Sequence, residues 1–187
     1  MASSSPRRDE AISSPRRVLI TGGARAGKSR FAQALAEQGP YRNRLFVATA
    51  VACDPEMDER IIRHRRSRDR LWKTLEEPTR LPERLPKKNL SSGNVILLDC
   101  LPTFVTNLLL SGGSQGKIQK KVRQILELCR RPGLTSLFIS NEVGLGIVPD
   151  NPLGREFRDL LGAVNQQVAQ AADEVYFLVS GIPVRLK

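Results

Sequence analysis

Aromatic residues make up only 5% of this 187-residue chain, with a single tryptophan and two tyrosines. That scarcity leaves no platform on which successive nucleic-acid bases would stack. Histidine occurs once, as His64, so any imidazole chemistry falls on that residue alone. The three cysteines, Cys53, Cys100 and Cys129, are odd in number and lack metal-ligand spacing. They read as reduced thiols of a cytoplasmic protein. No apolar run approaches the length of a bilayer crossing. The first residues, Met1 to Arg17, hold Ser, Pro and Arg but no apolar core of a secretory signal. Residues 1–16 are expected to form a disordered extension, and 17–187 one domain. Acidic residues are the minority, and the net charge is +11. Such a balance suits a polynucleotide or a small phosphorylated substrate. Much of it sits in the tail and in one run: Arg60, Arg63, Arg65, Arg66, Arg68, Arg70 and Lys73.

Against these shortages stands one dense motif. Val18 to Thr21 is a short apolar run. Gly22-Gly23-Ala24-Arg25-Ala26-Gly27-Lys28-Ser29 follows, and Arg30 to Gln38 continues as a helical pattern. The octet fits G-x-x-x-x-G-K-[ST] at every fixed position. Gly22 and Gly27 permit backbone geometry closed to other residues. The loop amides then form a nest for phosphate oxygens, and the helix after it aims its positive end at the same anion. Lys28 is placed to reach the outer phosphates, and Ser29 to hold Mg²⁺.

Further strands punctuate the chain. Arg44 to Ala50 reads as a buried strand whose small terminal residues include Thr49, a ligand contact or a plain strand end. Asn94 to Asp99 is an apolar run closing on a carboxylate. Beside a phosphate loop it resembles the second nucleotide motif, whose Asp acts on Mg²⁺. Leu134 to Asn141 and Glu174 to Ser180 are two more strands. Gly181 then turns the chain into Ile182 to Leu186, predicting a terminal antiparallel hairpin. Helices are predicted over Asp54 to Arg68, Lys117 to Arg131 and Leu153 to Ala172, the last capped by Asn151. Pro82 to Asn94 and Ser111 to Gly116 read as loop and turn. The alternation predicts an α/β fold, with five or six parallel strands, an antiparallel end strand and helices on both faces.

His64 extends the apolar stripe of Met57 and Ile61, with Arg60 and Arg68 one turn to either side. Two roles fit: a half-buried helix histidine, or an imidazole kept neutral by its arginines and able to act as a nucleophile. Glu76 and Glu77 fit simple surface charges.

Taken together, these residues resemble the bifunctional adenosylcobinamide kinase and adenosylcobinamide-phosphate guanylyltransferase family. The resemblance is carried by Thr21 to Ser29, by Glu56 to Arg68 around His64-Arg65, and by Trp72 to Pro78. Leu98-Asp99-Cys100-Leu101 and Thr106-Asn107-Leu108-Leu109 add to it. The most specific segment is Asn141-Glu142-Val143-Gly144-Leu145-Gly146-Ile147-Val148-Pro149. Phe157-Arg158-Asp159, Val164-Asn165-Gln166 and Ala172 to Val175 continue the pattern. One departure is Asp69, where many relatives carry proline.

The resemblance implies a phosphate-loop fold and two reactions. ATP or GTP phosphorylates the aminopropanol hydroxyl of adenosylcobinamide. GTP then gives GMP to adenosylcobinamide phosphate by way of a guanylylated histidine, which falls on His64. Family nucleotide contacts carry over to Gly22, Gly23, Ala24, Arg25, Ala26, Gly27, Lys28 and Ser29, to Ala48, Thr49 and Ala50, to Arg65, Arg66, Ser67 and Arg68, to Glu76 and to Asp99. Ser29 and Asp99 would hold Mg²⁺. The chain lacks Asn-Lys-x-Asp, the guanine-reading motif of regulatory GTPases, so Glu76 is a candidate reader of guanine. The family also implies a homotrimer, while the sparse aromatics and short apolar runs predict no nucleic-acid partner and no membrane span. Competing readings are a kinase for another small alcohol, without a covalent nucleotide on His64, and a nucleic-acid-stimulated ATPase with steeply salt-dependent binding. A non-catalytic nucleotide-binding protein would not need Lys28, Ser29 and Asp99 intact.

Overall fold

A computed structural model describes residues 16–50, 68, 70–88 and 93–187. Its centre is a sheet of seven strands in one continuous ladder. In chain order these are β1 (Arg17–Gly22), β2 (Asn43–Ala48), β3 (Trp72–Glu76), β4 (Asn94–Asp99), β5 (Leu134–Ile139), β6 (Glu174–Val179) and β7 (Ile182–Arg185). Across the sheet the order is β3-β2-β4-β5-β1-β6-β7. Every neighbouring pair is parallel except β6 with β7. The parallel core and the antiparallel terminal hairpin agree with the sequence pattern.

The central strands β1, β4 and β5 are buried on both sides, and their side chains alternate between the two cores. On β1, Val18 and Ile20 face α1 (Lys28–Gln38), meeting Ala32 and Ala36, while Leu19 joins the opposite core. On β4, Val95 and Leu97 point toward α1, and Ile96 and Leu98 point the other way. The second face carries α2 (Leu81–Arg84), α3 (Leu101–Leu110), α4 (Gln115–Leu128) and α5 (Pro152–Ala171). Phe104, Ile118, Ile125, Leu160 and Val164 fill this side, all nearly inaccessible to solvent.

Local chemistry sets the helix ends. Asn151 caps α5, its Oδ1 accepting from Gly154 N at 2.7 Å, and Pro152 occupies the first turn. Gly113, expected in a turn, is locked there because a Cβ would meet Leu108 O at 2.7 Å. The turn ends sooner than its composition implies, however, since α4 already begins at Gln115.

The region read as loop from Pro82 to Asn94 is corrected in part. Leu81–Arg84 is a short helix, and Leu85–Lys87 continues as a 3-10 turn. Two apolar side chains four residues apart, Leu81 and Leu85, are fully buried beneath it. That burial outweighs the local proline content, because Pro82 and Pro86 fall where a helix start tolerates them. Trp72–Glu76, unassigned from sequence, is the edge strand β3.

Candidate functional site

The phosphate loop lies between the carboxyl end of β1 and the first turn of α1. Gly22 has φ +143° and Gly27 φ +90°, both in the region that favours glycine. At Gly22 a Cβ would come within 2.5 Å of Leu178 O on the neighbouring strand β6. Arg25 holds φ +55° at the loop tip. The terminal hairpin braces the loop from outside, with Gly181 N donating to Ala26 O at 3.1 Å. A segment that reads as a plain sheet edge thus shapes the nest.

Lys28 folds back over this loop. Its Nζ donates to Gly22 O at 3.1 Å and to Gly23 O at 2.6 Å. The side chain is buried, and desolvation lowers its pKa below the ordinary lysine value, against the opposing pull of Cys100 and Asp99. Next to it, Ser29 Oγ donates to Asp99 Oδ2 at 2.7 Å. Asp99 closes β4, which is separated from β1 by β5. The fold therefore brings the two nucleotide motifs together from strands that do not touch. A hydroxyl and a carboxylate side by side are hard oxygen donors, the set that suits Mg²⁺.

These groups border a cavity of about 820 Å³, lined by Ala24 through Arg30, by Asp99 and by residues of α1 and β5. Three contributors escaped the sequence reading. Arg30, Gln33 and Glu37 project from one face of α1 into the cavity wall. Their spacing of three and four residues is the available signal. Asn141, just beyond β5, lines it too.

Other expected contacts have different surroundings. Thr49 is fully buried, and its hydroxyl serves the backbone of Cys100, accepting from N at 2.9 Å and donating to O at 2.8 Å. That hydroxyl supports the turn after Asp99 instead of facing the cavity. Arg68 lays its guanidinium 3.8 Å from the centre of the Phe46 ring and donates to Thr74 Oγ1 at 3.3 Å. This places Arg68 against β2 and β3. Ala48 ends β2, with Ala50 just beyond it. Glu76 is exposed at the end of β3, level with Ala48, which is in turn level with Asp99. At the usual strand spacing, Glu76 and Asp99 stand roughly 10 Å apart along the same edge. His64, Arg65, Arg66 and Ser67 lie outside the described residues, as do Cys53 and the helix expected from Asp54. The other two thiols are unpaired. Burial pushes Cys129 up to about 11, and burial together with Asp99 raises Cys100.

Asn107, quoted in the sequence only as part of a motif, is a tie between elements. Its Nδ2 donates to Thr49 O at 2.8 Å and to Pro78 O at 3.2 Å, joining α3 to the ends of β2 and β3. The carboxyl edge of the sheet is thus held by hydrogen bonds between residues far apart in the chain.

A family model for cobinamide kinase / cobinamide phosphate guanyltransferase matches residues 18–186. The chain belongs to this family. The bifunctional adenosylcobalamin biosynthesis protein CobU of Escherichia coli (strain K12) is 41% identical over 182 residues, covering 91% of this chain and 99% of that protein. CobP of Pseudomonas aeruginosa, also described as a bifunctional adenosylcobalamin biosynthesis protein, is 42% identical over 172 residues, covering 91% and 97%. Solved structures share the fold at much lower identity. The ATPase EscN of the enteropathogenic E. coli type III secretion system superposes with a TM-score of 0.61 at 10% identity, over 89% of this chain and 43% of its own. The flagellar accessory protein FlaH of Methanocaldococcus jannaschii gives 0.53 at 12%, over 94% and 80%. The fold is that of phosphate-loop nucleotide-binding proteins. Among the described residues, no helix is long and apolar enough to cross a membrane.

Proposed function

We propose that the chain performs two successive transfers on a corrinoid acceptor. In the first, ATP or GTP phosphorylates the aminopropanol hydroxyl of adenosylcobinamide. In the second, GTP donates GMP to adenosylcobinamide phosphate, yielding adenosylcobinamide-GDP and pyrophosphate. The observation that carries this reading is the joining of Lys28, Ser29 and Asp99 around one cavity, in a chain matched by the family model from residue 18 to residue 186.

Each residue has a physical task. The amides of Gly22 to Ser29 hold phosphate oxygens. Lys28 leaves the carbonyls of Gly22 and Gly23 to pair with the outer phosphates, exchanging two neutral acceptors for a charged one. Ser29 and Asp99 would hold Mg²⁺, which when bound neutralises charge shared by neighbouring phosphates. Glu76 is proposed to read guanine, from the exposed end of β3.

For the second transfer the proposed nucleophile is His64, by its place in the family pattern. A neutral imidazole nitrogen forms a bond to the α-phosphorus of GTP, and the bond to the bridging oxygen breaks, releasing pyrophosphate. An oxygen of adenosylcobinamide phosphate then attacks the same phosphorus and restores the imidazole. One difficult transfer becomes two easier ones. The enzyme is proposed to work in the cytoplasm as a homo-oligomer, a trimer by the family pattern.

The test is intact-protein mass spectrometry after exposure to GTP, without acceptor. A GMP adduct is expected on the wild type, stable to base and labile to acid, and absent from His64→Ala. If the wild type gains no adduct, or His64→Ala still gains it, the covalent step is wrong and a simple kinase remains.

A further inference from the structure

We propose that Asn141 is a catalytic residue of the phosphoryl-transfer step, contacting the phosphoryl group in flight, and that Asn165 is its positioning residue. The inference rests on the kinase reading above. It begins with the strand order. β5 lies between β1, which delivers the phosphate loop, and β4, which delivers Asp99. The chain leaving β5 therefore emerges between the phosphate loop that follows β1 and Asp99 at the end of β4. Asn141 is in that exit and lines the phosphate cavity.

The backbone there is fixed from three directions. Ser140 N donates to Ile20 O at 2.9 Å, tying the exit to β1. Glu142 N donates to Gly22 O at 3.2 Å, and this carbonyl also accepts from Lys28 Nζ. From the other face of the sheet, Asn165 on α5 reaches both residues of the turn. Its Oδ1 accepts from Ser140 Oγ at 2.5 Å, and its Nδ2 donates to Asn141 O at 2.9 Å. Asn165 is 8% exposed and Ser140 fully buried, so the bond between them is shielded from water. An asparagine in the middle of a helix otherwise favours caps and turns. Here its two ends match the turn beyond β5.

All these bonds use the Asn141 backbone or its neighbours. The Asn141 side-chain amide makes no hydrogen bond among the described residues, and it stands at the cavity wall. A primary amide offers two donors and an acceptor without charge. It can donate to a non-bridging oxygen of the transferred phosphoryl and accept from the attacking hydroxyl. In the step served, the acceptor hydroxyl oxygen forms a bond to the γ-phosphorus. The bond from that phosphorus to the β–γ bridging oxygen breaks, its electron pair staying on the diphosphate. The hydroxyl proton passes to solvent. A fixed donor at the transferred group contributes through being in place before charge shifts.

The experiment compares wild type, Asn141→Ala, Asn141→Asp, Asn165→Ala and the double variant, using adenosylcobinamide and ATP with Mg²⁺. Single-turnover phosphorylation and nucleotide Kd are measured for each. Asn141→Ala should lower the transfer rate roughly 100-fold while Kd moves less than about threefold. Asn141→Asp, which adds a negative charge beside phosphates, should be no better than Ala. Asn165→Ala should lower the rate through Asn141, so the double variant should match Asn141→Ala, whereas a purely structural role would add to it. An unchanged rate in Asn141→Ala, a loss wholly in Kd, or additive losses in the double variant would overturn the assignment. A wild type that phosphorylates nothing would instead count against the kinase reading.

Discussion

Ser29 donates its hydroxyl to Asp99 across 2.7 Å, although the strands that lead to them, β1 and β4, are separated by β5. The pair gathers one neutral and one charged oxygen beside the phosphate nest. Asp99→Asn preserves the shape and an acceptor oxygen but removes the charge. Phosphorylation by this variant should fall at least about 100-fold, with a weakened response to added Mg²⁺. Ser29→Ala should show a similar loss. Initial rates over a Mg²⁺ titration check this, with circular dichroism to confirm folding. An Asp99→Asn rate within threefold of wild type would remove the pair from the metal site.

The glycines of the nest divide by what a side chain would meet. Gly22 combines a positive φ with Leu178 O at 2.5 Å from a built Cβ, whereas Gly23 has nothing within 4 Å. Backbone atoms of β6 cannot step aside without breaking the ladder between β1 and β6. Gly22→Ala should therefore destabilise the fold by roughly 2–4 kcal/mol. Gly23→Ala should stay within about 0.5 kcal/mol. Urea unfolding of both variants decides it, and equal midpoints would mean the loop yields more easily than its contacts imply.

The phosphate loop, the strand ending in Asp99 and the terminal hairpin are local patterns, and local patterns are readable from spacing. The parallel sheet follows from runs such as Val95 to Leu98, buried on both faces. β3 was not legible, because Trp72 to Glu76 is short, mixed in polarity and stabilised by pairing with β2. Helix α2 and the 3-10 turn after it are hidden by Pro82 and Pro86, and the burial of Leu81 and Leu85 depends on α4 and the sheet. The site shows the same divide. Lys28, Ser29 and Asp99 announce themselves by motif, but the work of Thr49, Asn107 and Asn165 rests on bonds to residues 24 to 58 positions away. Arg68 sits in a basic run that reads as phosphate binding, and its guanidinium also lies over the Phe46 ring, a contact that spacing does not reveal.

Thr49 supplies a sharper test of that divide. Its hydroxyl satisfies both the N–H and the carbonyl of Cys100, within a fully buried setting. Thr49→Val keeps the volume and deletes both bonds. The Cys100 N–H loses its partner beside Asp99, while the Cys100 carbonyl keeps its bond from Phe104 N at 3.2 Å, and stability should fall by about 1–3 kcal/mol. Thr49→Ser, which retains the hydroxyl, should recover most of the loss. If Thr49→Val instead weakens nucleotide binding tenfold at unchanged stability, Thr49 acts on the ligand directly.

Lys28 presents a conflict between stability and activity. Its ammonium is buried over the loop carbonyls, and desolvation holds its pKa below the unfolded value of about 10.4. A lysine with a lowered folded pKa means that the unfolded chain binds the proton more readily. Its charge therefore opposes folding at neutral pH. That opposition fades as pH climbs from the folded pKa to the unfolded one. Lys28→Met keeps the apolar stem and drops the charge. At pH 7 this variant should unfold no sooner than wild type, while its phosphoryl transfer falls by roughly 100-fold or more. Any stability advantage should shrink as pH approaches 10. Denaturant midpoints from pH 7 to pH 10, read beside transfer rates, check both parts. A Lys28→Met protein markedly less stable at pH 7 would mean that the bonds to Gly22 and Gly23 outweigh desolvation, so that Lys28 builds the loop as well as serving its ligand.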